Sequence, residues 1–460
     1  MITREHLAAY RCEECGHHSS KWFGRCPKCS SWSTQTAPTV PTAAVSTLGR
    51  GARAPARIES GIGEVDRVLG GGFVSGEICL LAGEPGIGKS TLVLQLLDAL
   101  GQSGRTTLLV TGEESPAQVA LRANRLQVDG ERLRATSETS VEGILEACAQ
   151  EQPEVVVVDS IQTVEMSGLD QAAGSPVQLR DCTAALGRFA KREGAVVVLV
   201  GHVTKDGGIA GPKTLEHMVD AVLSLEGERT TSLRLLRAVK NRFGSCEETG
   251  VFVMGRRGLE GVVDPSAMLL ADRRRGVTGS VVFPGLEGTR CVLIEMQALV
   301  APPSSGQPRR VAQGLEGGRL SLLLGVLSKH VNLQLAPRDV FASAAGGIAV
   351  REPASDLAVL LALVSAATDI PVEEDLVAVG EVGLAGEVRR VPGIERRLAE
   401  AVRLGFRTAL IPRGCSDVPA QLEPVVLADV AAAVAHIAAR AQPMRSRAVS
   451  PLPQLEPVSA

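Results

Sequence analysis

Gly83-Glu84-Pro85-Gly86-Ile87-Gly88-Lys89-Ser90 decides the fold, because the sequence on either side agrees with it. Upstream, Ile78 to Ala82 is a continuous apolar run of strand length, and downstream Lys89 to Leu100 has the length and spacing of a helix. A glycine-rich turn between strand and helix, closing on Gly-Lys-Ser, wraps backbone N–H groups around phosphates at a helix N-terminus. Gly83, Glu84, Pro85, Gly86, Ile87, Gly88, Lys89, Ser90 and Thr91 are therefore the expected ATP-binding residues. In that reading Lys89 reaches the β- and γ-phosphates and the Ser90 hydroxyl ligates Mg²⁺.

Outward from the loop, Thr107 to Val110, Val155 to Val158 and Ala195 to Val200 are further apolar runs without alternation. Such strands are buried on both faces, which predicts a parallel sheet covered by helices, one of them Pro176 to Arg192 with Leu179, Leu186 and Phe189 on one side. Asp159 follows the Val155–Val158 run and is expected to complete the magnesium shell. Glu113, in Thr111-Gly112-Glu113-Glu114-Ser115, is the expected base for an attacking water, with Glu114 as the fallback. Both carboxylates also suit capping of a helix starting near Pro116. Gly201-His202 opens a glycine-containing loop after the last strand, where the histidine either senses phosphate or is a satisfied strand-end residue.

The chain has 460 residues, 45% hydrophobic and 22% charged, which excludes a disordered chain and a small disulfide scaffold. A net charge of −3 excludes a globally basic nucleic-acid coat. No apolar run approaches the roughly 18 residues a membrane span needs, and Met1 to Gly16 is interrupted by charges, so the expected location is cytoplasmic with no membrane partner. Among ten cysteines, four form Cys12-x2-Cys15-x10-Cys26-x2-Cys29, the spacing of a Zn²⁺ ribbon rather than of two redox pairs. The only Tyr and both Trp lie within the first 32 residues. Trp22 and Phe23, beside Arg25 and Lys28, suit either stacking on a single strand or the core of a tiny ribbon. The expected division is 1–32 zinc ribbon, 33–57 flexible basic linker, 58–271 nucleotide-binding domain, 272–440 a further α/β domain and 441–460 a disordered tail.

The ribbon, the phosphate loop, Lys240-Asn241-Arg242-Phe243-Gly244 and the C-terminal segment together resemble the RadA (Sms) family of bacterial DNA repair proteins, from about Tyr10 to Arg440. The resemblance implies an α/β fold in three parts: a zinc ribbon, a RecA-like P-loop ATPase domain with a mainly parallel sheet, and a Lon-protease-like α/β domain. It implies a ring, usually a hexamer, that works with the RecA recombinase on single-stranded and branched DNA and drives branch migration. In related ring motors a basic pair at this place reaches the neighbouring subunit's nucleotide, so Lys240 and Arg242 are expected to stabilise charge in trans and to contact DNA. Lys205 and Lys213, flanking glycines, are the expected channel contacts to DNA. A nucleotide-gated DNA-binding scaffold without strand movement is the alternative.

The Lon likeness rests on Glu352-Pro353-Ala354-Ser355-Asp356-Leu357 and on Gly380 to Val388. Active Lon uses a Ser-Lys dyad, and in the register set by Leu363-Val364-Ser365-Ala366 those positions hold Ala354 and Glu395. The resemblance therefore implies no proteolysis. Arg273 to Arg275, Arg309-Arg310, Arg389-Arg390 and Arg396-Arg397 are either a phosphate-binding face or a solvated surface.

Overall fold

The computed structural model describes residues 10–12, 14–15, 18–19, 24–32, 34–35, 56–202, 214–227, 231–303 and 306–441. They fall into two compact units, Met1–Ala54 and Pro55–Ala460. In the first, β1 (Tyr10–Cys12), β2 (His18–Ser19) and β3 (Thr34–Gln35) pair antiparallel in the order β2-β1-β3. Strands this short bury little, and among the described residues there the buried ones are Cys12 and Cys26.

The second unit opens with β4 (Arg57–Ile58), α1 (Gly63–Leu69) and β5 (Phe73–Val74), β4 pairing with β5. Strand and helix then alternate through β6 (Ile78–Gly83), α2 (Lys89–Gln102), β7 (Thr107–Thr111), α3 (Pro116–Leu126), β8 (Arg134–Thr136), α4 (Val141–Glu151), β9 (Val155–Asp159), α5 (Pro176–Glu193), β10 (Val196–His202), α6 (Thr214–Met218) and β11 (Ala221–Glu226). Three antiparallel strands extend the edge: β12 (Leu233–Asn241), β13 (Thr249–Gly255) and β14 (Gly258–Gly261). The sheet order is β14-β13-β12-β11-β6-β10-β9-β7-β8. Burial explains the unbroken apolar runs: Cys79, Leu81, Val155, Val157 and Val198 pack with α2 and α3, whereas Ile78, Leu80, Val156, Val158 and Leu199 pack with α4 and α5.

The chain continues through α7 (Pro265–Leu270), β15 (Ser280–Glu287), β16 (Arg290–Ala301), β17 (Arg310–Gln313), α8 (Gly317–Val326), β18 (Asp339–Ala344), α9 (Asp356–Thr368), β19 (Leu376–Ala378), β20 (Glu381–Val382), β21 (Val388–Arg389), α10 (Ile394–Arg403), β22 (Thr408–Pro412), β23 (Glu423–Leu427) and α11 (Val430–Ala441). Its sheet has the order β17-β18-β16-β15-β19-β22-β23. Helix α9 is apolar all round, and Leu357 to Val364 are all buried, as a helix in the middle of a core must be. Leu233 and Val251 of the first sheet join that same core.

Three local readings change. Arg57, expected to end a flexible linker, is the first residue of β4. Gly201 and His202, expected in a loop, extend β10, because the parallel register with β6 continues to the pairs Gly201–Ala82 and His202–Gly83. Helix α7, expected to close the nucleotide-binding domain, packs with the C-terminal sheet: the buried Ser266 hydroxyl donates to Glu400 and accepts from the Leu293 N–H. The composition change at Arg273 therefore lies after the packing boundary. Among the described residues no helix is long and apolar enough to cross a membrane.

Candidate nucleotide site and metal centre

The parallel strands deliver their C-terminal ends to one edge, where ligands bind in open α/β sheets. β6 runs into the phosphate loop, β7 into Gly112-Glu113, β9 into Asp159-Ser160, and β10 ends on His202. The loop needs its glycines for space and for backbone angle. A Cβ on Gly83 would stand 2.6 Å from the Leu225 carbonyl, and Gly88 has φ +119° with the Met254 methyl at its back. Ile87 is buried beneath the loop, and its carbonyl accepts from the Arg234 guanidinium at 3.1 Å. Glu84, Pro85 and Gly86 are exposed; Ser90 and Thr91, on the first turn of α2, are half-buried.

Lys89 is only 4% exposed, and its ammonium donates to the carbonyls of Gly83 (2.8 Å) and Glu84 (3.0 Å). It also lies 3.2 Å from Nδ1 of His202. Burial lowers the Lys89 pKa, and the negative charges of Asp159 and Glu113 oppose that shift. With an ammonium on Nδ1, the hydrogen-bond network assigns the His202 proton to Nε2, which faces Glu113 Oε1 at 3.5 Å. The buried Ser160 hydroxyl donates to that same oxygen at 2.7 Å. Lys89, His202, Glu113 and Ser160 thus form one chain of contacts, and Asp159 is the register partner of Thr111, two residues before Glu113.

The capping alternative for the two glutamates is not what the structure adopts. Ser115 caps α3 in a reciprocal box with Gln118, leaving Glu113 at the sheet edge, while Glu114 is taken up by Arg122. The Asp159 carboxylate has no hydrogen-bonded side-chain partner among the described residues and feels the charges of Lys89 and Arg122. A carboxylate at the end of β9 and the Ser90 hydroxyl on the first turn of α2, both at the C-terminal edge of the sheet, are oxygen donors of the kind a magnesium ion takes.

Lys240 and Arg242, at the end of β12, both turn toward the segment between α6 and β11. The Lys240 ammonium donates to the carbonyls of Glu216 and Val219, each at 2.7 Å, and Arg242 pairs with the buried Asp220 at 3.0 Å. Burial and the neighbouring Arg242 lower the Lys240 pKa. Asn241 and Gly244 shape the loop around them: the Asn241 amide oxygen accepts from the Phe243 N–H at 2.9 Å, and a Cβ on Gly244 would meet that amide at 2.9 Å. Lys205, Lys213, Trp22 and Phe23 lie outside the described residues.

In the N-terminal unit the sulfur atoms of Cys12, Cys15, Cys26 and Cys29 all lie within 4.8 Å of one another, with Cys12–Cys29 at 3.5 Å and Cys15–Cys26 at 3.6 Å. No disulfide spans such distances, whereas four sulfurs at about 2.3 Å from one tetrahedral zinc stand about 3.8 Å apart. Burial opposes ionisation of Cys26, but hydrogen bonds from the Cys29 and Lys28 backbone bring its thiol down to about 6, so a thiolate ligand forms readily.

In the C-terminal half, Ala354 is buried in the turn before α9, and the adjacent Ser355 hydroxyl is tied to the Glu352 carbonyl at 2.9 Å. Glu395 is exposed on α10, and the sequence after Lys240 contains one lysine, the exposed Lys329. The arginine pairs are largely engaged within the chain. Arg397 is 1% exposed and bound to both oxygens of Glu352 and to the Pro284 carbonyl. Arg310 holds the carbonyls of Leu335, Ala336 and Arg338, and Arg389 pairs with Glu381 and Glu387. Burial takes Arg397 out of any phosphate-binding face, whereas Arg310 and Arg389 are bonded within the chain but exposed, as are Arg274 and Arg396.

Comparison with known proteins matches residues 10–35 to the rubredoxin metal binding domain, 47–208 to an AAA domain, and 340–441 to the Lon protease (S16) C-terminal proteolytic domain. The DNA repair protein RadA of Bacillus subtilis is 45% identical over 92% of this chain and 97% of its own length. The chain belongs to the RadA family of DNA repair proteins. The family's Pseudomonas aeruginosa member is 46% identical over 91% of this chain and 96% of its own, and that of Mycobacterium tuberculosis is 43% identical over 93% and 92%. Against this background the AAA match carries the phosphate loop, Glu113, Asp159 and His202 in one domain, and the ribbon match carries all four cysteines. Sequence reading missed Ser160, Arg234 and Arg57 as neighbours of these sites. Arg234 alone left a signal, a charged residue inside the apolar run Leu233 to Leu236.

Proposed function

We propose that the protein is a DNA-dependent ATPase that works as a ring motor, binding single-stranded and branched DNA and promoting branch migration during recombinational repair. The observation that carries this reading is the meeting of Lys89, Glu113, Asp159 and His202 at one sheet edge of a RadA-family chain. Lys89 exchanges its carbonyl partners for the β- and γ-phosphates. Ser90 and Asp159 would hold magnesium, which would supply charge neutralisation for the phosphates. Glu113, oriented by Ser160, accepts the proton of the attacking water. Lys240 and Arg242 leave the α6–β11 segment to stabilise charge on the nucleotide of an adjacent subunit in a hexamer, and with Lys205 and Lys213 they contact DNA. RecA is the partner recombinase and the cytoplasm the location. The parts are 1–32, 33–57, 58–271, 272–440 and 441–460, with Arg57 and α7 as the residues nearest the boundaries. The C-terminal part serves assembly or DNA contact and not proteolysis, a reading supported by the bonded Ser355 hydroxyl and the lack of a second lysine after Lys240.

Steady-state ATP hydrolysis with and without single-stranded DNA, with Lys89→Ala as the blank, tests the proposal. Stimulation by DNA that vanishes in the variant is the expected result, followed by ATP-dependent migration of a branched substrate. Hydrolysis indifferent to DNA would favour the scaffold, in which ATP sets assembly without strand movement.

A further inference from the structure

Arg57 makes contacts out of proportion to its place at the start of the second unit. Its guanidinium donates to the carbonyls of Leu69 (2.9 Å), Gly72 (2.8 Å) and Phe243, the last being 186 residues away in sequence. Leu69 ends α1, so its carbonyl lies at the negative end of that helix, where a cation is favoured. Room for the arginine comes from Gly70-Gly71-Gly72. A Cβ on Gly71 would stand 3.4 Å from Arg57 Cδ, and one on Gly72 would stand 2.4 Å from the Ile58 carbonyl. All three glycines have positive φ.

Phe243 belongs to the exposed loop that carries Lys240 and Arg242. Two side chains fasten that loop to the end of α1: Arg57 through the Phe243 carbonyl, and Asn241 through the Leu69 carbonyl at 3.4 Å. A planar fork with five N–H donors spans three carbonyls on two segments, a task that a lysine ammonium on a flexible stem performs poorly.

We infer that Arg57 is a positioning residue for the Lys240–Gly244 loop, fixing the two basic groups at the height from which they reach a neighbouring subunit's nucleotide. The inference rests on the reading of Lys240 and Arg242 as groups that act in trans. It makes the entry point of the second unit part of the catalytic geometry of the next subunit. None of the three carbonyls that Arg57 holds belongs to the phosphate loop, so its removal is expected to act on turnover and to leave the P-loop of its own chain intact.

The test uses full-length Arg57→Ala, Arg57→Lys, Lys240→Ala and Lys89→Ala proteins, alone and mixed. Arg57→Ala is expected to lose at least about tenfold in kcat with KM for ATP within about twofold of the parent, and Arg57→Lys to recover part of the loss. Mixing separates positioning from damage to the fold. Lys89→Ala subunits keep a sound loop, so mixed with Arg57→Ala subunits, which keep a sound P-loop, they are expected to give more hydrolysis than the two proteins assayed apart. An Arg57→Ala protein with parental kcat would overturn the inference. So would a mixture without gain while Lys240→Ala mixed with Lys89→Ala does gain. If that control pair also gains nothing, the trans reading itself fails and the role of Arg57 falls with it.

Discussion

Glu77 sits immediately before the strand that feeds the phosphate loop, 2% exposed, accepting the Val74 N–H at 2.7 Å. Burial raises its carboxyl from 4.5 to about 7, with the neighbouring Asp220 adding to the shift and the Val74 hydrogen bond and Arg57 opposing it. In the folded chain the group stays protonated up to that pH, whereas in the unfolded chain it ionises above its ordinary value. Between the two the folded state holds the extra proton, so this residue's contribution to stability declines as pH rises. Glu77→Gln, which keeps an acceptor for Val74 and cannot ionise, is expected to gain on the parent by about 2–3 kcal/mol between about pH 5 and about pH 8. Urea unfolding of both proteins at the two pH values measures it; an unchanged difference would show that Glu77 does not titrate there. Lys89 is the second residue whose surroundings matter more than its identity. Its ammonium is satisfied by two carbonyls and an imidazole, so nucleotide must replace three existing contacts to engage it.

The β15–β16 hairpin is the element that ties the two sheets together. Its tip enters the nucleotide-binding half, where the nearly buried Arg290 pairs with Glu64 of α1 and donates to the Val262 and Val263 carbonyls, while Glu287 pairs with Arg237 of β12. Glu64 also accepts the Val251 N–H at 2.8 Å, so losing either partner strands a buried charge. Arg290→Ala and Glu64→Gln are each expected to cost about 3–5 kcal/mol in a denaturant melt, with the double variant costing clearly less than their sum. Full additivity would mean the pair is not coupled. Elements of this kind mark the limit of what the sequence discloses. The phosphate loop, Asp159 and the four cysteines were legible because each motif is local, with spacing set by a single turn or knuckle. Strand burial was legible in Val155 to Val158 for the same reason. The Arg57–Phe243 bond, the register that places His202 beside Gly83, and the side on which α7 packs all depend on distant segments meeting. Arg397 shows the difficulty best: an Arg-Arg pair reads the same in a sequence whether it faces solvent or, as here, fills a core against Glu352 and the Phe283 ring.

At the scale of the whole molecule the chain is two units with separate means of support. Among the described residues the three hydrophobic clusters are built from residues at or after Ile58, while the described part of the first unit gathers its four cysteines, so we expect the first unit to draw on its metal site. Chelation of zinc is therefore expected to unfold residues 10–35 while leaving the main calorimetric transition of the second unit within about a degree or two, far less than the several degrees that the loss of about 1 kcal/mol produces in a small domain. A large fall in that transition would show that the metal site supports the second unit as well. The same division has an optical consequence. Both indoles, Trp22 and the 76% exposed Trp32, and the single tyrosine belong to the N-terminal unit, while the rest of the chain carries only phenylalanine among its aromatics. Emission excited at the red edge, where indole alone absorbs, is thus a built-in reporter of the ribbon. A quench on adding DNA would register an event at the ribbon and nowhere else, and a thermal scan followed by that emission would miss the melting of nine-tenths of the molecule.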